Sequence, residues 1–129
     1  MIALDASVLI AHLHPGDAHH EVATSILLDA APGSMLVHTV TLTEVLVGAV
    51  RVGRGASMRD DVRAAGIEVA PHDADEPFRL AELLAVSGLK LPDCCVLDVA
   101  IRNHASMATF DVGLAAAARR HDVAVLNRV

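Results

Sequence analysis

The chain opens with MIALDASVLI, residues 1–10, in which one carboxylate interrupts an apolar run. Residues 1–4 are typical of a short buried strand, and the apolar residues after Asp5 begin a helix. A buried carboxylate costs free energy unless something partners it. Asp5 is therefore either the N-cap of that helix or part of a site, and the rest of the chain has to decide between the two.

Short apolar stretches alternate with longer helical patterns along the whole chain. Because strands separated by helices imply right-handed crossovers, we expect a mostly parallel sheet covered on both faces. The expected fold class is α/β, a three-layer α/β/α domain over residues 1–129 with a central five-stranded sheet. Strands are predicted at residues 1–4, 34–40, 67–70, 106–110 and 123–126, and helices at residues 8–13, 17–31, 41–50, 57–65, 76–86, 92–103 and 112–120.

The composition predicts an aliphatic core. Of the 129 residues, 53% are hydrophobic but only 2% are aromatic, so Val, Leu, Ile and Ala must fill the interior. Cys94 and Cys95 are adjacent, which fits neither a zinc pair nor a disulfide framework, and we interpret them as small buried hydrophobic side chains.

No apolar run reaches the length of a membrane span, and the N-terminus lacks the basic start of a signal peptide. A cytoplasmic protein without a membrane contact is expected.

The net charge of −6 argues against a nucleic-acid-binding protein unless several acids are gathered around a metal ion. Nine of the ten basic residues are arginine, and Lys90 is the one lysine. Arginine makes the better forked contacts to phosphate. Charge alone therefore leaves the partner open.

Four acids stand beside predicted strand ends or helix starts, and each has an ordinary structural explanation. Asp5 and Asp111 follow strands and fit the position of an N-cap. Glu44 has the spacing of a capping box with Thr41. Asp93 lies in the first turn of a helix, where the macrodipole favours an acid.

The four explanations become less satisfactory together. If the first strand is central, Asp5, Glu44 and Asp111 meet at one edge of the sheet, and Asp93 reaches the same place from the helix packed above. Carboxylates in one cleft repel one another unless a cation neutralises them. Oxygen-only ligands at a partly open site suit Mg²⁺ or Mn²⁺.

Four stretches of the chain together resemble the motifs of a known family. MIALDASVLI, TLTEVLVG, LKLPDCCVLDVAI and MATFDVGL, in this order and spacing, are similar to the motifs of the PIN-domain family and most similar to its bacterial VapC-type toxins. The resemblance covers the whole chain. The resemblance rests on the series of four motifs, because an Asp after a first strand by itself occurs in many folds.

The resemblance implies a Mg²⁺-dependent RNA endonuclease, a toxin held inactive by a co-expressed VapB-like antitoxin and present as a homodimer in the toxin–antitoxin complex. Matched motif by motif, its catalytic acids are Asp5, Glu44, Asp93 and Asp111. Mg²⁺, or Mn²⁺, would be held by Asp5 and Asp93 with help from Asp111. Glu44 would orient the attacking water, act as its base, or bind a second metal through water.

Two residues depart from the family pattern. Asp98 is a second acid on the helix of Asp93, and its four-residue spacing to Arg102 favours a surface ion pair over a role in the site. Phe110 stands where relatives often have a polar residue before the last acid, so Thr109 is the candidate for that hydroxyl.

Four of the eight histidines cluster after the first strand, at His12, His14, His19 and His20. None of the eight pairs at the i, i+4 spacing that puts two imidazoles on one helical face. We interpret these histidines as surface or substrate-groove residues.

Two other classes of protein compete with the nuclease. A phospho-acceptor receiver domain also gathers acids around Mg²⁺; Asp73 could be its acceptor, but the last strand is followed by no lysine. A PIN-like domain without catalysis that only binds RNA or protein is the other alternative, and the presence of all four acids argues against it.

Overall fold

Five short strands form one sheet in the order β3-β2-β1-β4-β5, and all of their pairings are parallel. The structure is a computed structural model and describes residues 1–30 and 33–127. The elements, in chain order, are β1 (Ile2–Leu4), α1 (Ala6–Leu13), α2 (His20–Ala30), β2 (Met35–Val37), α3 (Thr39–Arg51), α4 (Gly55–Ala64), β3 (Ile67–Val69), α5 (Glu76–Ser87), α6 (Leu91–Arg102), β4 (Ser106–Ala108), α7 (Val112–Arg120) and β5 (Val125–Leu126).

The first strand is central, which is the condition under which the acids were expected to meet at one edge. Ile2 pairs with Met35 of β2 on one side and with Ser106 of β4 on the other. The carboxyl ends of β1, β2 and β4 therefore lie side by side. A receiver domain has the strand order 2-1-3-4-5, so the observed order contradicts that alternative.

The two faces of the sheet bury two separate aliphatic cores, and β1 contributes to both because its side chains alternate. Ile2 and Leu4 pack in the core that α1 and α2 cover, while Ala3 packs in the core under α5, α6 and α7. Cys94 and Cys95 are buried free thiols, as predicted. The three-layer α/β/α prediction is confirmed.

The starts of α1, α2, α3 and α4 differ from the sequence prediction by two or three residues; α1 begins at Ala6 rather than residue 8, and α4 begins at Gly55 rather than residue 57. Helix α2 begins at His20 rather than residue 17, and residue 31, its predicted end, lies outside the described residues. Helix α3 begins at Thr39 rather than Thr41, which ends β2 at Val37. The reason is an unusual N-cap: His38 accepts a hydrogen bond from the Val40 N–H at its Nδ1 atom, 3.0 Å away.

None of the helices within residues 1–30 and 33–127 is long and apolar enough to cross a membrane.

Candidate active site

The central strand and its neighbour β4 end together at one edge of the sheet. The Asp5 backbone N–H donates to the Ala108 carbonyl oxygen over 3.0 Å, which continues the β1–β4 ladder by one residue. Asp5 directly follows β1, and Thr109 directly follows β4. In parallel α/β sheets, ligands bind outside this carboxyl edge, beside a reversal of strand order.

The Asp5 carboxylate is buried, with a relative exposure of 7%, yet it does not cap helix α1. Its Oδ2 atom accepts hydrogen bonds from Ser7 Oγ at 2.7 Å and from Thr109 Oγ1 at 2.8 Å. Its Oδ1 atom has no hydrogen-bond partner among the described residues. The N-cap interpretation of Asp5 is therefore wrong for the side chain, and one oxygen remains for a ligand.

The two hydroxyl groups also fix the loop that carries the next acid. Ser7 Oγ accepts from the Phe110 N–H, and Thr109 Oγ1 accepts from the Asp111 N–H, each over 3.0 Å. Thr109 supplies the hydroxyl that Phe110 cannot, as the sequence suggested. Ser7 was missed by the sequence analysis, although its position two residues after Asp5 was the available signal.

Asp111 is the one acid of the four that caps a helix. Its Oδ1 atom accepts from the Leu114 N–H over 2.7 Å at the start of α7. The side chain is exposed, and its Oδ2 atom has no partner within the described residues. Like Asp5, Asp111 uses one oxygen to hold its own conformation and keeps the other for a ligand.

The capping-box explanation of Glu44 is wrong. Because His38 caps helix α3, Thr41 lies inside the helix, where it is buried and its hydroxyl has no hydrogen-bond partner in the described chain. Glu44 is exposed one turn into α3, with no cap to support.

The carboxyl group of Asp93 is affected by the other three acids. It lies in the first turn of α6 without a side-chain cap bond. Burial raises the pKa of its carboxyl group, and the negative charges of Asp5, Asp111 and Glu44 raise it further, in that order, against a smaller opposing effect of Lys90. Three acids from other parts of the fold therefore act electrostatically on Asp93.

This donor set consists of oxygen atoms, which hard divalent cations prefer. The four acids are spread more widely than a closed metal cage. Within residues 1–30 and 33–127, three metal-ligating side chains with ligand atoms all within 4.8 Å of one another occur at a different place, His38, His72 and Glu76.

Asp98 does not form the predicted surface pair. It is 2% exposed and receives two bonds from Arg79 of α5, Nε to Oδ1 at 2.9 Å and Nη2 to Oδ2 at 3.3 Å. Arg102 instead binds Asp73 over 2.8 Å. Hydrogen bonds from Arg79 and Arg102 hold the pKa of Asp73 at about 2, so Asp73 belongs to a structural ion pair.

Two of the four histidines after the first strand join α1 to α2. His12 Nδ1 is 2.9 Å from Thr24 Oγ1, and His20 Nδ1 is 3.0 Å from the Ala11 carbonyl oxygen. The exposed His19 ring stacks on Phe110, with ring centroids 4.8 Å apart. The stack places His19 against the residue that precedes Asp111 in the sequence.

The chain belongs to the PIN domain family, whose pattern matches residues 2–120. The comparison with curated proteins found no match.

Three solved structures share the fold. VapC20 of Mycobacterium tuberculosis, a toxin that cleaves the sarcin–ricin loop, is 22% identical with a TM-score of 0.74, over 91% of this chain and 95% of that one. A toxin–antitoxin complex from Klebsiella pneumoniae is 24% identical with a TM-score of 0.72, over 89% of both chains. FitAcB from Neisseria gonorrhoeae is 20% identical with a TM-score of 0.73, over 98% and 97% of the two chains.

Proposed function

We propose that this protein is a metal-dependent endoribonuclease of the VapC type, the toxin of a toxin–antitoxin system. The observation that carries the proposal is the environment of Asp93, whose carboxyl pKa is raised by burial and by Asp5, Asp111 and Glu44. Such a group of acids destabilises the fold unless a cation neutralises it. Membership of the PIN domain family and likeness to an RNA-cleaving toxin support the same reaction class.

The residues fit a hard divalent metal ion. Asp5 and Asp111 each direct one oxygen to the protein and leave the other without a partner among the described residues, as a monodentate ligand requires. We propose Asp5 and Asp93 as the main ligands, assisted by Asp111. Bound there, Mg²⁺ or Mn²⁺ would polarise the phosphodiester and lower the pKa of a coordinated water.

Glu44 would orient the attacking water and accept its proton. It is exposed on α3, makes no cap, and contributes to the raised pKa of Asp93, so it has both access to solvent and proximity to the other acids. A water-mediated contact to a second metal is an alternative role for the same carboxylate.

The proposed substrate is RNA and the proposed partner a VapB-like antitoxin. A cleft of carboxylates attracts an inserted arginine or lysine, which pairs with the acids and competes with metal. One of the structural neighbours is a toxin–antitoxin complex. We place the chain, as a single nuclease domain over residues 1–129, in the cytoplasm and in a homodimer within such a complex.

The test is cleavage of RNA by the purified protein with Mg²⁺, with Mn²⁺ and with a chelator. We expect cleavage that needs the metal and falls about a hundredfold in Asp5→Asn, because a lost ligand weakens metal binding. Asp61→Asn, which neutralises an exposed acid on α4, is the matched control and should cleave like wild type.

Expression in a bacterial host provides a second readout. Expression of the chain alone should arrest growth, and coexpression of the adjacent antitoxin-like reading frame should restore it. Harmless expression together with no cleavage of any RNA under either metal would reject the nuclease and leave a binding module of the same fold.

A further inference from the structure

A second cluster of metal-ligating side chains lies at the carboxyl edge of the sheet, beside the acids. His38 follows β2, His72 follows β3 by three residues, and Glu76 begins helix α5. One ligand atom of each lies within 4.8 Å of the other two. The acids instead occupy the ends of β1 and β4 and helices α3 and α6. The two clusters are therefore neighbours with different residues.

Two atoms of this cluster are buried without a hydrogen bond. His38 is 4% exposed and Glu76 is 9% exposed, and neither His38 Nε2 nor Glu76 Oε1 has a hydrogen-bond partner within the described part of the chain. The two atoms face each other at 3.4 Å, which exceeds the usual N–H···O distance. Buried polar atoms in native proteins are rarely left in this state.

We propose that His38, His72 and Glu76 bind a borderline transition-metal ion of the Zn²⁺ class, at a site separate from the acids. Two imidazoles and one carboxylate are a donor set typical of zinc, with a water in the fourth position, whereas Mg²⁺ prefers oxygen atoms alone. Tetrahedral Zn²⁺ ligands lie about 3.3 Å apart, close to the 3.4 Å between His38 Nε2 and Glu76 Oε1, whereas the 2.6 Å contact between His72 Nδ1 and Glu76 Oε2 has to widen.

His72 is suited to be the accessible ligand. Its side chain is 45% exposed, which gives an ion a way in and a place for a water. Its Nδ1 atom lies 2.6 Å from Glu76 Oε2, and its Nε2 atom lies 2.8 Å from Thr39 Oγ1. With metal on Nδ1, the Nε2–H would donate to the Thr39 hydroxyl, the kind of outer partner that orients metal-bound histidines.

Metal binding at His38 is coupled to helix α3. In the structure, His38 Nδ1 accepts the Val40 N–H, so the proton of the neutral ring is on Nε2. A metal at Nε2 displaces that proton, and the neutral ring then carries its proton on Nδ1. The Val40 N–H then loses its acceptor. Metal binding at His38 therefore removes the hydrogen bond that caps α3, the helix that carries Glu44.

The test is Zn²⁺ binding by calorimetry to the full chain in excess Mg²⁺, which competes for the acid site. We expect one Zn²⁺ per chain in wild type and at least about tenfold weaker binding in His72→Gln, since even outer-shell losses cost that much. His72 is exposed enough for the variant to fold. Asp93→Asn and His14→Gln, an exposed histidine outside the cluster, should bind Zn²⁺ like wild type.

Two spectroscopic signals make the result independent of RNA cleavage. Co²⁺ substituted for Zn²⁺ should show the intense visible bands of tetrahedral coordination, absent in His72→Gln. The Val40 amide should shift in the ¹⁵N NMR spectrum when Zn²⁺ is added. Equal Zn²⁺ affinity in wild type and His72→Gln, or loss of binding in Asp93→Asn instead, would overturn the proposal while leaving the nuclease proposal to its own test.

Discussion

Thr109 is fully buried, and its hydroxyl group is used twice. It donates to Asp5 Oδ2 and accepts from the Asp111 N–H, so one side chain fixes two of the proposed metal-binding acids. Ser7 Oγ also donates to Asp5 Oδ2 and accepts from the Phe110 N–H. The position of the Asp5 carboxylate is thus determined by hydroxyl groups rather than by a helix cap.

Thr109→Val keeps the shape of the side chain and removes both bonds. We expect a loss of about 1–3 kcal/mol in the free energy of unfolding, because Asp5 and the Asp111 amide lose a buried partner. Mn²⁺ affinity should fall about 10–100-fold, the usual cost of an outer-shell partner. Urea unfolding and calorimetric Mn²⁺ titration measure the two effects. Thr109→Ser retains the hydroxyl and should remain near wild type; unchanged Mn²⁺ affinity in Thr109→Val would contradict the assigned role.

Glu44→Gln separates catalysis from stability. Since Glu44 supports no cap, its loss should change the free energy of unfolding by less than about 0.5 kcal/mol. RNA cleavage should fall about a hundredfold or more, as expected when a general base is removed. Glu82→Gln, an exposed acid on α5, is the matched control. Full cleavage by Glu44→Gln would remove Glu44 from the site.

At the scale of elements, an ion-pair network joins α5 to α6 and to the loop before α5. Arg79 on α5 binds the buried Asp98 of α6 with two bonds and also binds Asp73, which Arg102 binds from α6. Helix α6 carries Asp93, so the network anchors the helix that presents the central acid.

Arg79→Met should remove both hydrogen bonds to the buried Asp98 carboxylate and clearly lower the free energy of unfolding. The double variant Arg79→Met/Asp98→Leu should recover most of that loss, because a buried ion pair replaced by apolar side chains is often neutral. Arg59→Met breaks an exposed pair with Asp60 and should cost less than about 1 kcal/mol. Denaturant unfolding of the four proteins tests this, and equal losses for Arg79→Met and Arg59→Met would contradict it.

The sequence predicted the type and order of the elements because apolar periodicity is a local signal. The sequence-based predictions failed where the structure depends on an unusual cap or on a partner distant in the sequence. Helix α3 starts early because an imidazole caps it, which Thr41 and Glu44 gave no reason to expect. Asp98 pairs with Arg79, 19 residues away, whereas only the local i, i+4 partner was visible in the sequence. The cluster of His38 and His72 was invisible for the same reason.

At the scale of the molecule, the strand order β3-β2-β1-β4-β5 brings the acids together. Asp5, Glu44, Asp93 and Asp111 were all selected from the sequence, since strand ends and helix starts can be located there. The effect of the other three on the pKa of Asp93 depends on the central position of β1, which the sequence could only assume. The net charge of −6 is compatible with an RNA substrate if a metal neutralises this edge.

The raised pKa of Asp93 makes the metal-free stability depend on pH. Its charged form is disfavoured in the folded state, so its contribution is fully favourable below the usual value of 3.8 and is lost as pH rises through the raised pKa. Metal-free Asp93→Asn should therefore melt higher than wild type at neutral pH, and the difference should vanish in acid. A pH series of melting temperatures in chelator measures this, and a difference that grows in acid would contradict it.

The most direct measurement of the acids as one metal site is scanning fluorimetry of wild type and Asp93→Asn with and without Mn²⁺. In wild type, Mn²⁺ at a hundred times its dissociation constant should add about 2.7 kcal/mol of stability, a melting shift of several degrees. Asp93→Asn should melt higher without metal and respond much less to Mn²⁺. Equal Mn²⁺ responses in the two proteins would mean that Asp93 is only a residue of the first helical turn and that no metal is bound by these acids.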